Sequence, residues 1–222
     1  GILDIVIAGG TDALCKFTLN GFGSLLILDK TPCRPFDASR AGLNLGEGAG
    51  YLVLQSEKTS YRKTYCTLAG YANANDAFHQ TASSSDGNGA YLAMKGALEK
   101  AGLSPDSIDY INAHGTSTHL NDAGETAAVK TVFGPHAYQL AMSSTKSMTG
   151  HLLGGAAAVE AIACVMAIRE GIVPPTIGYK EPDPECDLDI TPNKAVEMPI
   201  NVAISNSLGF GGHNACILIK KV

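Results

Sequence analysis

The sequence predicts an α/β protein with a mixed sheet, largely parallel, that ends in an antiparallel hairpin. Short apolar segments of strand character alternate with segments of helical periodicity, as expected of βαβ units. The last two strand-like segments, residues 202–206 and 215–220, flank the glycine-rich turn Gly209-Phe210-Gly211-Gly212, which is typical of a hairpin. At 222 residues, 45% of them hydrophobic and 17% charged, the chain has the composition of a globular protein with a large core.

The individual elements follow from local patterns. Strands are predicted at residues 2–8, 51–55, 65–72, 108–113, 140–143, 188–191, 202–206 and 215–220. Helices are predicted at residues 89–101, 122–132 and about 151–170, the first of them ending at Gly102. The first strand is so apolar that we expect it to be buried on both faces. The glycine-rich stretch 42–50 is predicted to be a loop whose backbone packs closely against another segment.

The composition indicates where the chain divides and which partners and compartments are compatible with it. The polar run 56–64 is the best internal boundary and divides the chain into residues 1–56 and 57–222. The formal charge of -5 argues against nucleic acid, and the longest apolar run, 152–168, contains a glutamate and is too short for a membrane span. Six cysteines without a Cys-x-x-Cys pair argue against zinc or disulfides and favour a reducing, cytoplasmic compartment. The chain opens at Gly1 in what reads as mid-fold, so we expect a fragment of a larger fold.

Chemistry-bearing residues follow three predicted strands. His114, Lys146 and Phe210 each come directly or shortly after a strand, and ligands collect beyond the carboxyl ends of such strands. Lys146 lies five residues before His151, close enough to keep that imidazole neutral and to offer positive charge to a developing anion. A solvated lysine and a histidine bonded to nearby backbone are the structural alternatives.

Two glutamates need a structural explanation as well. Glu160 is the only charged residue between Leu152 and Ile168, in a helix that is otherwise apolar there and that we expect to be buried all round. Glu160 must therefore be protonated, paired or bound to a cation. A single buried ion pair is the plainer of these outcomes. Glu125 follows Asp122 at the spacing of a capping box, which predicts a helix cap rather than a chemical role.

Three further residues have open alternatives. Thr116 and Thr118 point the same way if their segment is extended, which gives either a pair of hydroxyl donors or a turn held by hydroxyl-to-backbone bonds. Phe210, flanked by glycines, is either a mobile aromatic at a pocket mouth or a core anchor.

Taken together in order, the motifs point to a family. They are Ala8-Gly9-Gly10-Thr11-Asp12-Ala13, Arg34-Pro35-Phe36-Asp37, Gly46-Glu47-Gly48-Ala49-Gly50, Asn112-Ala113-His114-Gly115-Thr116-Ser117-Thr118, Ser144 to His151 and Asn206 to Gly212. The series resembles the β-ketoacyl-acyl-carrier-protein synthases, particularly the type II elongating enzymes, over essentially the whole chain. The resemblance implies a thiolase-like fold, with the end of the N-terminal half in residues 1–56 and a complete C-terminal half in residues 57–222.

The resemblance also implies an activity and roles for five residues. The family are acyltransferases that carry an acyl chain on a cysteine, decarboxylate malonyl acyl carrier protein, and join the two in a Claisen condensation during fatty acid or polyketide elongation. His114 and His151 match the histidine pair that binds the enolate oxygen, and Lys146 matches the lysine that sets the local electrostatics, with Glu125 in its network. Phe210 matches the residue whose N–H forms half of an oxyanion hole and whose ring gates the acyl pocket.

Other positions match binding residues of the family. Thr116 and Thr118 match the hydroxyls that hold the phosphopantetheine arm of the carrier protein. Asn112, Glu160, Ser205 and Asn206 match positions around a structural monovalent cation, Na⁺ or K⁺. No other cofactor is implied.

The resemblance leaves one component unaccounted for. None of the six cysteines stands in the context of the family's nucleophile, so the resemblance implies that this chain alone is inactive and needs an N-terminal half. Acyl carrier protein and a homodimer partner are also implied. A non-catalytic partner subunit, like a chain-length factor, is the alternative, although the retained histidines and lysine argue against it. His119, Leu120 and His213 depart from the family's usual residues.

Overall fold

The computed structural model describes residues 2–59 and 63–222 and has a five-stranded sheet at its centre. The strands are β1 (Ile5–Asp12), β2 (Gly48–Gln55), β3 (Cys66–Asn75), β4 (Tyr110–Asn112), β5 (Ala141–Ser143), β6 (Ile172–Val173), β7 (Val196–Glu197), β8 (Val202–Gly209) and β9 (His213–Lys221). The helices are α1 (Lys16–Ser24), α2 (Asn88–Ala101), α3 (His119–Phe133), α4 (Lys146–Thr149) and α5 (Ala156–Glu170). Single 3₁₀ turns lie at Pro105–Ser107, Gly134–Tyr138, Leu153–Gly155 and Phe210–Gly212.

The central sheet is mixed, in the order β3-β9-β8-β4-β5. Strand β4 is parallel to both β5 and β8, whereas β9 is antiparallel to both β8 and β3. The antiparallel final hairpin is confirmed, since Gly209 pairs with His213 on either side of its turn. The expectation of a largely parallel sheet holds only for the β8-β4-β5 side, because β9 returns directly from β8 and then pairs with β3.

Each face of the sheet buries its own core, because successive side chains of a strand point to opposite faces. Ile111, Ile204 and Leu218 pack with α2 and α3 on one face. Their chain neighbours, such as Tyr110 and Ala203, pack with α5 on the other. The carboxyl ends of β4 and β5 therefore lie between two helical layers.

A second, two-stranded sheet covers the far side of α5. It is formed by β1 and β2, which pair antiparallel along their whole length. Gly50 lies so close to α5 that an added Cβ would be 3.1 Å from the backbone nitrogen of Val159. An added Cβ on Gly46 would come within 2.1 Å of the Thr149 carbonyl oxygen. The predicted close packing of this glycine-rich stretch is thus observed, but residues 48–50 belong to strand β2 and not to a loop.

Several sequence-based predictions of elements were wrong. The first strand is shifted to Ile5–Asp12 and is exposed rather than buried, with Ile5 and Ile7 at 53% and 71% of their full accessibility. Helix α1 was not predicted, and residues 188–191 form no strand. Part of the proposed boundary run 56–64, residues 60–62, lies outside the described residues.

The predicted helix at 151–170 is also corrected. Helix α5 begins only at Ala156, after a 3₁₀ turn at Leu153–Gly155, because Gly150 adopts a positive φ of 71° and the His151 amide bonds the carbonyl of Asn44. Helix α5 is not buried all round, since Ala157 and Met166 are exposed. In the described part of the chain, no helix is both long and apolar enough to cross a membrane.

Candidate active site

A cavity of about 710 Å³ opens beside the carboxyl end of β4 and the turn between β8 and β9. His114, His151, Thr116, Thr118 and Phe210 all contribute to its lining. Within the described ranges the lining contains no aspartate, glutamate, lysine or arginine, and its titratable side chains are four histidines. The structure thus brings together site residues that lie up to 96 positions apart in the sequence, inside a cavity without formal charge.

Two of these histidines face each other inside the cavity. The ring centroids of His114 and His151 are 5.2 Å apart, and the rings are nearly perpendicular, at 83°. Gly115 adopts a positive φ of 39°, and an added Cβ there would lie 2.5 Å from the Ser144 side chain. A glycine at this position therefore lets the loop after β4 turn tightly and hold His114 against the β5 side of the site.

Both imidazoles are held in the neutral state. Burial lowers the pKa of His114 well below its ordinary value, and the positive charge of Lys146 and the neighbouring His151 lower it further. Burial and Lys146 lower the pKa of His151 to about 3. Nδ1 of His151 accepts the backbone N–H of Leu153 at 3.1 Å, so the proton of the neutral ring is on Nε2. Nδ1 of His114 has no hydrogen-bond partner among the described residues.

Lys146 is fully buried behind the histidines and forms an ion pair with Glu160. Its Nζ lies 2.5 Å from Oε1 of the carboxylate. Burial raises the pKa of Glu160, and the attraction of Lys146 opposes that rise. Glu160 therefore has the plainer of the expected environments, a single buried ion pair, and the ion-pair partner of Lys146 is Glu160 rather than Glu125.

Glu125 anchors the backbone of the histidine loop. Its two oxygens accept the backbone N–H groups of His114 at 2.8 Å and Gly115 at 2.9 Å, and Asn206 Nδ2 donates to Oε1 at 3.2 Å. Complete burial raises the pKa of Glu125 to about 7, although these three donors oppose the rise. The carboxylate therefore fixes the position of His114 through the main chain.

The predicted capping box of Asp122 and Glu125 is wrong. Helix α3 begins at His119 after Thr118, whose side chain makes no capping bond, and Asp122 lies within the first turn. The Asp122 carboxylate instead accepts the backbone N–H groups of Phe36 and Ser117. Local spacing suggested a cap, but both acids are used for contacts outside their helix.

Two pairs of side chains line the walls of the cavity. The hydroxyls of Thr116 and Thr118 are 3.0 Å apart, although the segment is not extended as the prediction required, since Ser117 between them adopts a positive φ of 69°. Phe210 is 44% exposed and stacks on Phe22 of α1, with ring centroids 5.8 Å apart. Phe22 was not singled out in the sequence, because helix α1 was not predicted and no motif marks this position.

The turn that contains Phe210 is held by the end of strand β3 and by the loop that follows it. Asn75 Nδ2 donates to the Gly211 carbonyl at 2.8 Å, and the Gly211 N–H donates to the Gln80 carbonyl at the same distance. His119 and His213 are exposed and also line the cavity. Both depart from the family pattern, and that departure was the sequence signal for them.

The residues predicted around a cation supply oxygen atoms, the ligands that Na⁺ and K⁺ prefer. Glu160 Oε2 and Asn206 Oδ1 are buried and have no hydrogen-bond partner in the described part of the chain. Asn112 is fully buried and bonds weakly to Thr145, at 3.4 Å, and Ser205 is also buried. The donor types therefore fit a monovalent cation, while Lys146 already balances the charge of Glu160.

No cysteine lines the cavity among the residues that the structure describes. Cys33 contacts the segment that carries Lys146, with its Sγ donating to the Lys146 carbonyl oxygen at 3.4 Å. Burial raises the pKa of that thiol, which disfavours the nucleophilic thiolate. The described site thus contains hydrogen-bond donors but no cysteine nucleophile.

The fold and the site both have counterparts in known proteins. The ketosynthase in the AntDE:AntF complex, a type II polyketide synthase acyl-carrier protein with its ketosynthase bound to the hexaketide, superimposes with a TM-score of 0.97 at 38% identity. That match covers 100% of this chain and 57% of the solved chain. The fold is therefore thiolase-like, as the resemblance implied.

Sequence comparison gives the family. Residues 65–180 match the β-ketoacyl synthase C-terminal domain, and residues 1–60 match the β-ketoacyl synthase N-terminal domain. The chain belongs to the β-ketoacyl synthase family. It is 48% identical to nodulation protein E of Rhizobium meliloti and 48% identical to 3-oxoacyl-[acyl-carrier-protein] synthase 2 of Synechocystis sp., over 226 and 231 residues. Both alignments cover 100% of this chain and 56% of the relative, so the chain spans little more than half their length.

Proposed function

We propose that this chain supplies the decarboxylation half of a β-ketoacyl-acyl-carrier-protein synthase site. The observation that carries the proposal is the pair of neutral histidines at right angles in a cavity without charged side chains. In the reaction, the bond between the malonyl α-carbon and its carboxyl group breaks, CO₂ leaves, and the electron pair forms an enolate on the thioester. The enolate carbon then attacks an acyl thioester, a C–C bond forms, and a thiolate leaves.

Neutral imidazoles suit this reaction for a specific physical reason. The Nε2–H of His151 can donate a hydrogen bond to the enolate oxygen, and we assign the same function to His114. An imidazolium with the lowered pKa of His151 would be a strong acid and would quench the carbanion by protonating it. Lys146 stabilises the developing negative charge at longer range and keeps both rings neutral.

The remaining assignments form part of the same proposal. Thr116 and Thr118 bind the phosphopantetheine arm of an acyl carrier protein, and Phe210 gates the acyl pocket and supplies an oxyanion N–H. A Na⁺ or K⁺ ion, if bound, would be held by Asn112, Glu160, Ser205 and Asn206 in a structural role. The 38% identical ketosynthase solved with an acyl-carrier protein supports the choice of partner.

The nucleophilic cysteine is proposed to lie in the portion of the relatives that this chain does not span. Residues 1–56 and 57–222 are then parts of two thiolase-like halves, and the assembled enzyme is a cytoplasmic homodimer. This arrangement predicts no condensation by the chain alone and activity when the portion with the cysteine is supplied.

The test is decarboxylation of malonyl acyl carrier protein by the assembled enzyme, measured as CO₂ release. His114→Ala and His151→Ala should each lower the rate about a hundredfold to a thousandfold, the usual cost of losing one oxyanion donor. His136→Ala is the matched control, because His136 bonds the Ile108 carbonyl near the opposite end of β4. A near-normal rate in either cavity variant would refute the assignment.

A further inference from the structure

Two strained residues from separate loops share one buried carboxylate. The backbones of Phe36 and Ser117 both adopt the left-handed conformation, with φ of 66° and 69°, which is unfavourable for residues other than glycine. The backbone N–H of Phe36 donates to Asp122 Oδ2 at 2.8 Å, and that of Ser117 donates to Oδ1 at 3.2 Å. Both residues are fully buried, so their amides have no access to water as a substitute acceptor.

Arg40 supplies the positive charge beside this carboxylate. It is fully buried, pairs directly with Asp183, and lies with Nε 3.7 Å from Asp122 Oδ2. Its other nitrogens donate to the carbonyls of Asp37 at 2.9 Å and His119 at 3.3 Å. Arg40 is the cation within ion-pair distance of Asp122 in the described part of the chain, so it offsets the cost of burying that charge.

The two strained loops converge on the threonine pair. Ser117 separates Thr116 from Thr118, and its left-handed backbone allows their hydroxyls to meet at 3.0 Å. The Phe36 ring lies under the same loop, 3.1 Å from where a Cβ of Gly115 would stand. His114, in contrast, is held by Glu125 one turn further along α3. Asp122 and Glu125 thus each hold two amides, one pair beside the threonines and one pair beside the histidine.

We propose that Arg40 is a positioning residue for the Thr116–Thr118 hydroxyl pair, acting through Asp122 on the backbone of Ser117. The inference depends on the proposed function for its consequence, since these hydroxyls are assigned to the phosphopantetheine arm. Loss of Arg40 leaves Asp122 buried without its counter-charge, the carboxylate becomes protonated or rotates, and both strained amides lose their acceptor. The arm contacts then loosen while His114 keeps its own anchor.

Amide hydrogen exchange of this chain tests the structural step without any activity. In Arg40→Met, protection of the Phe36 and Ser117 amides should fall together by about tenfold or more, because one acceptor serves both. The control amide is that of Ala113, which bonds the Ser143 carbonyl at 2.8 Å and should keep its protection. Unchanged protection at Phe36 and Ser117, or an equal loss at Ala113, would overturn the proposal.

Kinetics of the assembled enzyme test the functional step. Arg40→Met should raise KM for malonyl acyl carrier protein about tenfold with kcat nearly unchanged, since only binding of the arm is weakened. The malonyl thioester of N-acetylcysteamine lacks most of the arm, so its kcat/KM should change less than about twofold. Arg40→Lys, which keeps the charge, should recover most of the KM change. An equal loss with both substrates, or a fall confined to kcat, would refute the role.

The outcomes separate this inference from the proposed function. If Arg40→Met does not fold, Asp122→Asn removes one of the two acceptor oxygens and is measured in the same way. An assembled enzyme without synthase activity would refute the proposed function and the arm-binding consequence, whereas the exchange result would still decide whether Arg40 positions the loop. Normal activity with an unchanged KM in Arg40→Met would refute this inference alone.

Discussion

Replacing Lys146 by methionine isolates the buried ion pair on which the electrostatics of the cavity depend. Lys146 and Glu160 are 1% and 3% exposed, and their charged atoms are 2.5 Å apart. Removing one partner of such a pair leaves an uncompensated buried charge and typically costs about 3–5 kcal/mol. We therefore expect Lys146→Met to destabilise the chain by that amount, provided that Glu160 does not find another cation.

Urea denaturation measures this cost directly. With a slope of about 2 kcal/mol per molar urea, a loss of 3–5 kcal/mol lowers the unfolding midpoint by about 1.5–2.5 M. The double variant Lys146→Met/Glu160→Leu removes both charges and should recover most of the loss, because apolar replacements of a buried pair are often neutral or stabilising.

The exposed pair of Arg169 and Glu170 provides the control. Their side chains are 44% and 48% exposed, so Arg169→Met should change the free energy of unfolding by less than about 1 kcal/mol. A cost below about 1 kcal/mol for Lys146→Met would refute the reasoning, as would a double variant no more stable than the single one. The first result would mean that Glu160 is already neutral, and the second that it is balanced from elsewhere.

Two other variants probe the titrating groups of the site. The pKa of His151 is about 3 in the folded chain and 6.5 ordinarily, so below pH 6.5 the unfolded chain binds a proton that the folded chain does not. As pH is lowered from about 6.5, the free energy of unfolding of the wild type should therefore fall by up to about 1.4 kcal/mol per pH unit more than that of His151→Asn. A stability difference that stays constant between about pH 5 and 7 in urea titrations would contradict this. Glu125→Gln replaces an acceptor of backbone N–H groups with a donor, so it should cost about 1–3 kcal/mol by the same assay. Since the pKa of Glu125 is raised from 4.5 to about 7, the folded chain holds this proton more tightly than the unfolded chain, and wild-type stability falls as pH rises from about 4.5 to 7. The stability cost of Glu125→Gln should therefore be largest below about pH 4.5 and decrease toward pH 7; an unchanged stability at all pH values would refute the anchoring role.

Sequence patterns located the site because its main residues follow strands. The loop after β4 carries His114, and the short helix after β5 carries Lys146. The burial of Glu160 could also be predicted, because the apolar residues on both sides of it along the chain favour a buried helix. These features depend on local hydrophobicity and on the rule that strand ends meet, both of which a sequence displays.

Other features depend on contacts between distant segments and could not be predicted. Asp122 bonds Phe36 across 86 positions, and no local pattern marks an acid for that use rather than for a helix cap. Helix α1 was not predicted because residues 13–28 form a mostly apolar stretch without clear periodicity. The start of α5 was misplaced because the bond from His151 to Asn44 is made between segments 107 positions apart.

Helix α3 holds two parts of the site in a fixed position relative to each other. Its two carboxylates, at Asp122 and Glu125, are one turn apart on a single rigid element, and each clamps a different part of the same loop. A small tilt or shift of α3 would carry the histidine and the hydroxyl pair together as one body. The distance between His114, where we propose that the enolate forms, and the Thr116–Thr118 pair, where we propose that the phosphopantetheine arm binds, would thus stay the same when other walls of the cavity move.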